Sequence, residues 1–184
     1  MNIGVDLDGV VYQTESLFRE YSEKYNKLIE GKLKDDSELK AFDRYNWTRE
    51  QTNDFIQNTF YEIEKTAPLY PKVKEVLGEL KKKNSIIFIT SRGLVSDVEI
   101  SLTMERLQED NINFDKIVFS QNSKVKACLE NKIDIMIDDY YRVIDELSSN
   151  GINCLYFRDK RNKPCESGAV EVYNWEEVSD FFKI

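Results

Sequence analysis

The chain of 184 residues contains no histidine. That absence excludes Ser-His-Asp and Cys-His catalysis, histidine-ligated zinc and histidine phosphotransfer. Any enzymatic chemistry here must run on carboxylates, lysine, hydroxyls, thiols or a metal. Cysteine is scarce: Cys128, Cys154 and Cys165 form no C-x-x-C pair. With no secretory signal, reduced thiols are expected rather than a disulfide framework. No run approaches the ~18 to 20 apolar residues that cross a bilayer. The start also lacks the basic-then-apolar layout of a leader, so a cytoplasmic protein with no membrane partner is expected. An excess of basic residues is missing too, since 26 Lys and Arg face 34 Asp and Glu for a net charge of −8. Such a balance disfavours a nucleic-acid polymer as partner, because that binding rests on phosphate neutralisation by Lys and Arg. It leaves room for a small phosphorylated ligand bound at a local basic spot or through a metal.

The segments that are present alternate. "IGVDL" (3–7), "SIIFIT" (85–90), "KIVFS" (116–120), "IDIMID" (133–138) and "NCLYF" (153–157) are short, β-branched or aromatic, and bounded by polar or turn residues. These features predict strands. Between them, Val73, Val76, Leu77 and Leu80 follow Pro71 at helical spacing. Ile100, Met104 and Leu107 repeat the spacing, as do Val143, Ile144 and Leu147 ahead of the helix stop Asn150-Gly151. The order predicts an α/β fold: a Rossmann-like, mostly parallel sheet with helices on both faces.

One region breaks the rhythm. From Thr14 to Thr66 no strand is evident. Leu17, Phe18, Tyr21, Tyr25, Leu28 and Ile29 share one helical face, and Ile56, Phe60 and Ile63 share another. Thr48 to Gln51 has the form of a capping box. A helical cap inserted at 14–66, on a core of 1–13 and 67–184, is the expected organisation. "KLKDDSELK" reads as an exposed loop within the cap. Residues after about 158 read as a closing loop and a terminal helix, with Trp175, Val178 and Phe182 facing inward.

The strand ends carry the chemistry. "LDGV" can be read as an Asp-Gly hairpin turn, but that leaves Asp6 unpaired beside a buried strand. In an open α/β sheet, ligands bind outside the carboxyl ends of the strands. Residues two apart on a strand point to the same side, so Asp6 and Asp8 both reach that crevice. Two carboxylates so close call for a cation, and Mg²⁺, a hard ion with oxygen ligands, suits them. Other strand ends supply matching groups: Thr90-Ser91-Arg92, Asp138-Asp139, and Lys124 at the start of the helix leading into the latter strand.

"DLDGVV", "IIFITSR", the lysine of "SKVKACLENK" and "IDIMIDD" resemble, in order, the four motifs of the haloacid dehalogenase superfamily. The Asp-x-Asp form is that of its phosphatases. The resemblance implies Asp6 as the nucleophile that becomes an aspartyl-phosphate. It implies Asp8 as the acid that protonates the leaving oxygen and then activates water. The Asp6 carboxylate, the Asp8 backbone carbonyl and Asp139 would hold Mg²⁺, with Asp138 acting through water or as a further ligand. Thr90 and Lys124 would bind the phosphoryl oxygens, with Lys126 as the rival of Lys124. Ser91 is a further substrate-binding candidate, and Arg92 could grip a substrate phosphate or sugar, or form a surface salt bridge.

The insertion sits where this superfamily carries a C1-type cap. Its size, the segment "AFDRYNWTREQ" and the phrase "PLYPKVKEVLGELKKKNSIIFITSR" resemble the 5′(3′)-deoxyribonucleotidase branch. That resemblance implies a nucleoside monophosphate substrate, with Phe42, Tyr45 and Trp47 as candidates for stacking on the base. Phe18 and Tyr21 read as cap core. A sugar phosphate or other small phosphomonoester is the alternative substrate, and a non-catalytic binding protein of the same fold is the third reading. A homodimer is compatible with the sequence.

Overall fold

The computed structural model describes residues 1–94, 96–119 and 123–184. Ser120, placed at the end of a predicted strand, lies outside them. Fourteen elements follow one another along the described chain: β1 (Asn2–Val5), α1 (Thr14–Leu28), α2 (Ala41–Arg44), α3 (Arg49–Thr66), α4 (Val73–Lys81), β2 (Ser85–Ile89), α5 (Asp97–Glu109), β3 (Lys116–Val118), α6 (Lys124–Glu130), β4 (Ile135–Asp138), α7 (Tyr141–Ser149), β5 (Asn153–Phe157), β6 (Val170–Val172) and α8 (Trp175–Phe182). Among the described residues, no helix is long and apolar enough to cross a membrane.

The six strands form one parallel sheet in the order β3-β2-β1-β4-β5-β6. Chain order reverses at β1, which lies between β2 and β4, with Val5 opposite both Phe88 and Ile137. This is the switch point where a doubly wound sheet opens a crevice at its carboxyl edge. The ladder runs just past the strands, since the Asp6 amide donates to Ile137 O and the Thr90 amide to Val118 O. Asp6, Thr90 and Asp138 therefore leave the sheet side by side.

Both faces of the sheet are covered. On one, Val73, Val76, Leu77 and Leu80 of α4 and Trp175 and Val178 of α8 pack over Ile3, Val5, Phe88 and Leu155. On the other, Ala127 and Cys128 of α6 and Ile144 and Leu147 of α7 cover Ile87, Ile89, Met136 and Tyr156. The helical periodicity of α4 and α7 thus marks their buried faces. That of α5 does so only in part: Leu107 is buried, but Met104 is exposed, and Leu102 and Thr103 are buried in its place. β1 ends at Val5, so Leu7 belongs to the turn that follows it. β6 was not expected from the sequence, because a three-residue edge strand reading "VEV" gives too short a period to recognise.

The 14–66 stretch is helical, as expected, and Thr48 and Gln51 close both halves of the capping box at the start of α3. α1 departs from its expected face. Leu28 is exposed, whereas Glu15, Arg19 and Ser22 are buried. The reason is a polar partner: Arg19 bonds Glu15 and the Asn162 side chain, and Asn162 returns a bond to Glu15. Arg44, also buried, donates to Glu38 O, Leu39 O and the Ser22 hydroxyl. Buried guanidinium groups persist only when so satisfied.

The far end of the helical stretch is fastened to α5. Arg106 donates to the carbonyls of Glu64, Lys65 and Ala67 at the end of α3, which have no helical partners of their own. Arg106→Ala is expected to lower the unfolding free energy by about 1–3 kcal/mol in urea titrations, with partial recovery in Arg106→Lys. Unchanged stability in Arg106→Ala would show that water replaces these bonds without loss.

Candidate active site

Asp6 follows β1, Asp138 ends β4, Asp139 follows it, and Lys124 opens α6. All four side chains are buried. The Lys124 ammonium bridges two strands, 2.9 Å from Asp6 Oδ2 and 2.7 Å from Asp138 Oδ2. The other oxygens are held by backbone amides: Asp6 Oδ1 accepts from Leu7 N, and Asp138 Oδ1 from Tyr140 N. Asp6, Asp138 and Asp139 each offer an oxygen within 4.8 Å of the others.

One ammonium cannot neutralise three carboxylates, and the electrostatics show it. Burial, reinforced by Asp138 and Asp8, pushes the Asp6 carboxyl up to about 6 against the pull of Lys124. Burial and the charges of Asp138 and Asp6 hold the Asp139 carboxyl well above the usual range. Burial works to lower the Lys124 ammonium, but Asp138 and Asp6 outweigh it and raise it. A set of hard oxygen donors with surplus negative charge fits a divalent cation.

Asp8 lives in a different field. Its carboxylate is gripped through both oxygens by Arg92, at 2.7 Å from Nη2 and 3.0 Å from Nε. Burial acts to raise the Asp8 carboxyl, but Arg92 overrides it and holds it below its ordinary value. Arg92 is itself fixed by a bond to the Thr103 hydroxyl and by the face of Tyr12, 5.3 Å away. The turn after the two acids is tight. Gly9 has φ +71°, donates to the Thr14 hydroxyl and passes so close to Asp139 that a Cβ would overlap its carboxylate. The chain does turn at Gly9, but α1 rather than a second strand follows, so there is no hairpin, and the turn seats the loop against Asp139.

The acids form the floor of a cavity of about 110 Å³ roofed by the helical stretch. Asp6, Asp8, Asp139 and Ser91 line one side, and Phe18, Phe42, Phe55 and Phe60 line the other. Thr90 is fully buried beside them, its hydroxyl accepting from the Arg92 amide.

Several expected residues sit elsewhere. Tyr45 and Trp47 do not line the cavity. They stack on each other at 4.9 Å, and Trp47 packs further on Tyr25 and Phe55, so both serve cohesion of the helical stretch. Phe18, read as core, lines the cavity with its edge on Phe60. Helical spacing tells which side a residue occupies but not what lies opposite. Arg92 is corrected too: it neither faces the cavity nor forms a surface salt bridge, because its guanidinium is buried against Asp8. Lys126 is exposed near Glu130, as the solvated reading had it. Lys40 also lines the cavity, and no sequence signal had marked it.

A doubly wound sheet with acids and a lysine gathered at its switch point is a fold shared with solved haloacid dehalogenase-like proteins. Solved structures agree on the fold. A haloacid dehalogenase-like hydrolase from Streptococcus pneumoniae superposes with TM-score 0.69 at 16% identity, covering 98% of this chain and 97% of that one. A haloacid dehalogenase-like protein from Agrobacterium tumefaciens superposes with TM-score 0.74 at 9% identity, covering 99% and 97%. The chain belongs to the family described as 5′ nucleotidase, deoxy (pyrimidine), cytosolic type C protein, whose model matches residues 1–184. It is also 26% identical over 182 residues to "Putative nucleotidase YqfW" of Bacillus subtilis, covering 97% of this chain and 91% of that protein. The protein is a phosphatase of the 5′-nucleotidase type.

Because a side chain at position 9 would displace Asp139, Gly9→Ala is expected to cut turnover of a phosphomonoester by at least about tenfold. It should also lower stability by about 1–2 kcal/mol through the left-handed backbone. Steady-state assays with thermal melts check both, and full activity in Gly9→Ala would mean that Asp139 need not stand where it does.

Proposed function

We propose that the protein is a Mg²⁺-dependent 5′-nucleotidase that hydrolyses nucleoside monophosphates through an aspartyl-phosphate on Asp6. The observation that carries this reading is the environment of the two motif acids on one cavity floor: Asp6 among carboxylates and Lys124, Asp8 backed by Arg92.

Asp6, Asp139 and the Asp8 backbone carbonyl, with Asp138 nearby, would hold the cation. Mg²⁺ would offset the surplus negative charge and polarise the phosphoryl group. The chain's own residues account for the rest. An Asp6 oxygen attacks phosphorus as the ester P–O bond breaks, and the nucleoside oxygen leaves with a proton from Asp8. Water then attacks the same phosphorus, Asp8 takes its proton, and the bond to Asp6 breaks to release phosphate. Arg92 favours the carboxylate form of Asp8, which the second half needs. The first half requires that pair to loosen while charge builds on the leaving oxygen. Lys124 and the Thr90 and Ser91 hydroxyls steady the phosphoryl oxygens, in keeping with a reaction that depends on positioning and charge neutralisation.

The helical stretch acts as the cap in this reading. Of the expected stacking residues, Phe42 alone lines the cavity, half-exposed at 50%, and a flat ring there suits a base.

Asp6→Asn and, separately, EDTA are expected to abolish phosphate release from nucleoside monophosphates with added Mg²⁺. Full activity of Asp6→Asn would sink the mechanism. In a panel of phosphorylated metabolites, turnover confined to sugar phosphates would reject the nucleotide reading while sparing the chemistry. Phe42→Ala is expected to raise KM for a nucleoside monophosphate by about tenfold and to leave acetyl phosphate, which has no base, unaffected. Equal changes for both substrates would argue against base stacking.

A further inference from the structure

Two of the cations at the centre of the site are already engaged, Lys124 with Asp6 and Asp138 and Arg92 with Asp8. Lys40 is different. It stands just before α2 and lines the cavity together with Asp6, Asp8 and Asp139. Its ammonium lies 5.2 Å from the centroid of the Tyr140 ring, directly after Asp139 in the chain. Among the described residues no carboxylate pairs with it. The Lys40 charge is nonetheless felt at both Asp8 and Asp139, where it opposes the effect of burial.

The backbone that carries Lys40 is well fixed. Leu39 is buried, and Glu38 is anchored by Tyr141 and Lys163. Lys40 thus combines a fixed base with a long, flexible stem and three donors. A phosphomonoester brings close to two negative charges into a floor already crowded with carboxylates. A ring face holds an ammonium less firmly than a phosphate oxygen does in a charge-assisted hydrogen bond.

We propose that Lys40 is a substrate-binding cation delivered by the helical stretch, its ammonium leaving the Tyr140 ring to hydrogen-bond a phosphoryl oxygen of the ester seated at Asp6. The assignment rests on the phosphatase reading above. Lys40 differs from Lys124 in coming from outside the sheet, so it adds charge to the phosphate from the side facing the cavity roof. It makes phosphate affinity depend on the helical stretch as well as on the strand ends.

The test is a calorimetric titration of inorganic phosphate into the Mg²⁺-loaded protein, run on wild type, Lys40→Met, Lys40→Arg and Lys34→Ala. Lys34 is an exposed lysine on the same stretch and controls for general loss of charge. The expected result is binding at least about tenfold weaker in Lys40→Met, near-normal binding in Lys40→Arg, and no change in Lys34→Ala. KM for p-nitrophenyl phosphate should rise in parallel while kcat changes less. Equal phosphate affinity in wild type and Lys40→Met, or equal weakening in Lys34→Ala, overturns the proposal, as does failure of wild type to bind phosphate. Hydrolysis by wild type with Lys40-independent binding would leave the phosphatase reading standing. Lys40-dependent binding without hydrolysis would keep this site and remove that reading.

Discussion

The Lys124 ammonium, lodged between Asp6 and Asp138, is the interaction on which the site depends. It joins the end of β1, the end of β4 and the first residue of α6 at one point inside the protein. A buried ion pair is poor evidence of stability by itself, because desolvation can exceed the Coulombic gain. What counts here is the alternative. Without Lys124, two carboxylates on adjacent strands, with Asp139 beside them, would face each other uncompensated, at a cost of several kcal/mol. With it they can sit together, and the negative charge left over suits a divalent cation, which in the proposed mechanism would in turn draw the phosphoryl group. The fold tolerates a locally unfavourable cluster because the sheet beneath it is fully covered on both faces.

That sheet also separates two acids that the sequence sets only one residue apart. Asp6 lies over β4 and Lys124. After the Leu7 turn, Asp8 lies toward β2 and Arg92. One carboxyl is raised to about 6 and the other is held below its ordinary value. Two like groups placed in opposed fields can take different parts in one reaction. Gly9 makes the arrangement sterically feasible, since a side chain there would occupy the space of the Asp139 carboxylate. The tightness of this turn and the position of the acids are one constraint.

The sequence makes the core of this design legible because each apolar run stops at a polar residue, and those stops are where a parallel sheet presents its groups. Thr90, Asp138 and Asp139 could be located from that punctuation, Lys124 from the motif resemblance, and α4 and α7 from their period. Other features needed the third dimension. Arg92 follows a strand, the place of a phosphate-binding residue, yet its partner is Asp8, 84 positions away. The polar buried face of α1 is matched to Asn162 from the far end of the chain. Tyr45 and Trp47 are aromatic residues on the segment that roofs the cavity, but only packing tells stacking on each other from facing a ligand. Periodicity records which residues share a face; it carries no information about what that face meets.

The two sides of the cavity are held by different forces, and this bears on how specificity is set. Asp6, Asp138 and Asp139 stand at or directly after strands whose hydrogen bonds and apolar faces fix them. Lys40 and Phe42 come from a stretch tied to the core largely by charge: Glu38 to Tyr141 and Lys163, Asp35 to Lys163, and Asp43 to Arg142. Several of these pairs are partly solvated, so salt and water weaken them in a way that leaves the strand ends untouched. A cavity of about 110 Å³ is comparable to one that takes a single six-membered ring, and a whole nucleotide is larger. Should the proposed substrate displace either side, the one held by ion pairs yields at lower cost. In the proposed reading, reaction and recognition fall to structures held by unlike forces: the carboxylates stand on the sheet, while Lys40 and Phe42 ride on the stretch held by ion pairs.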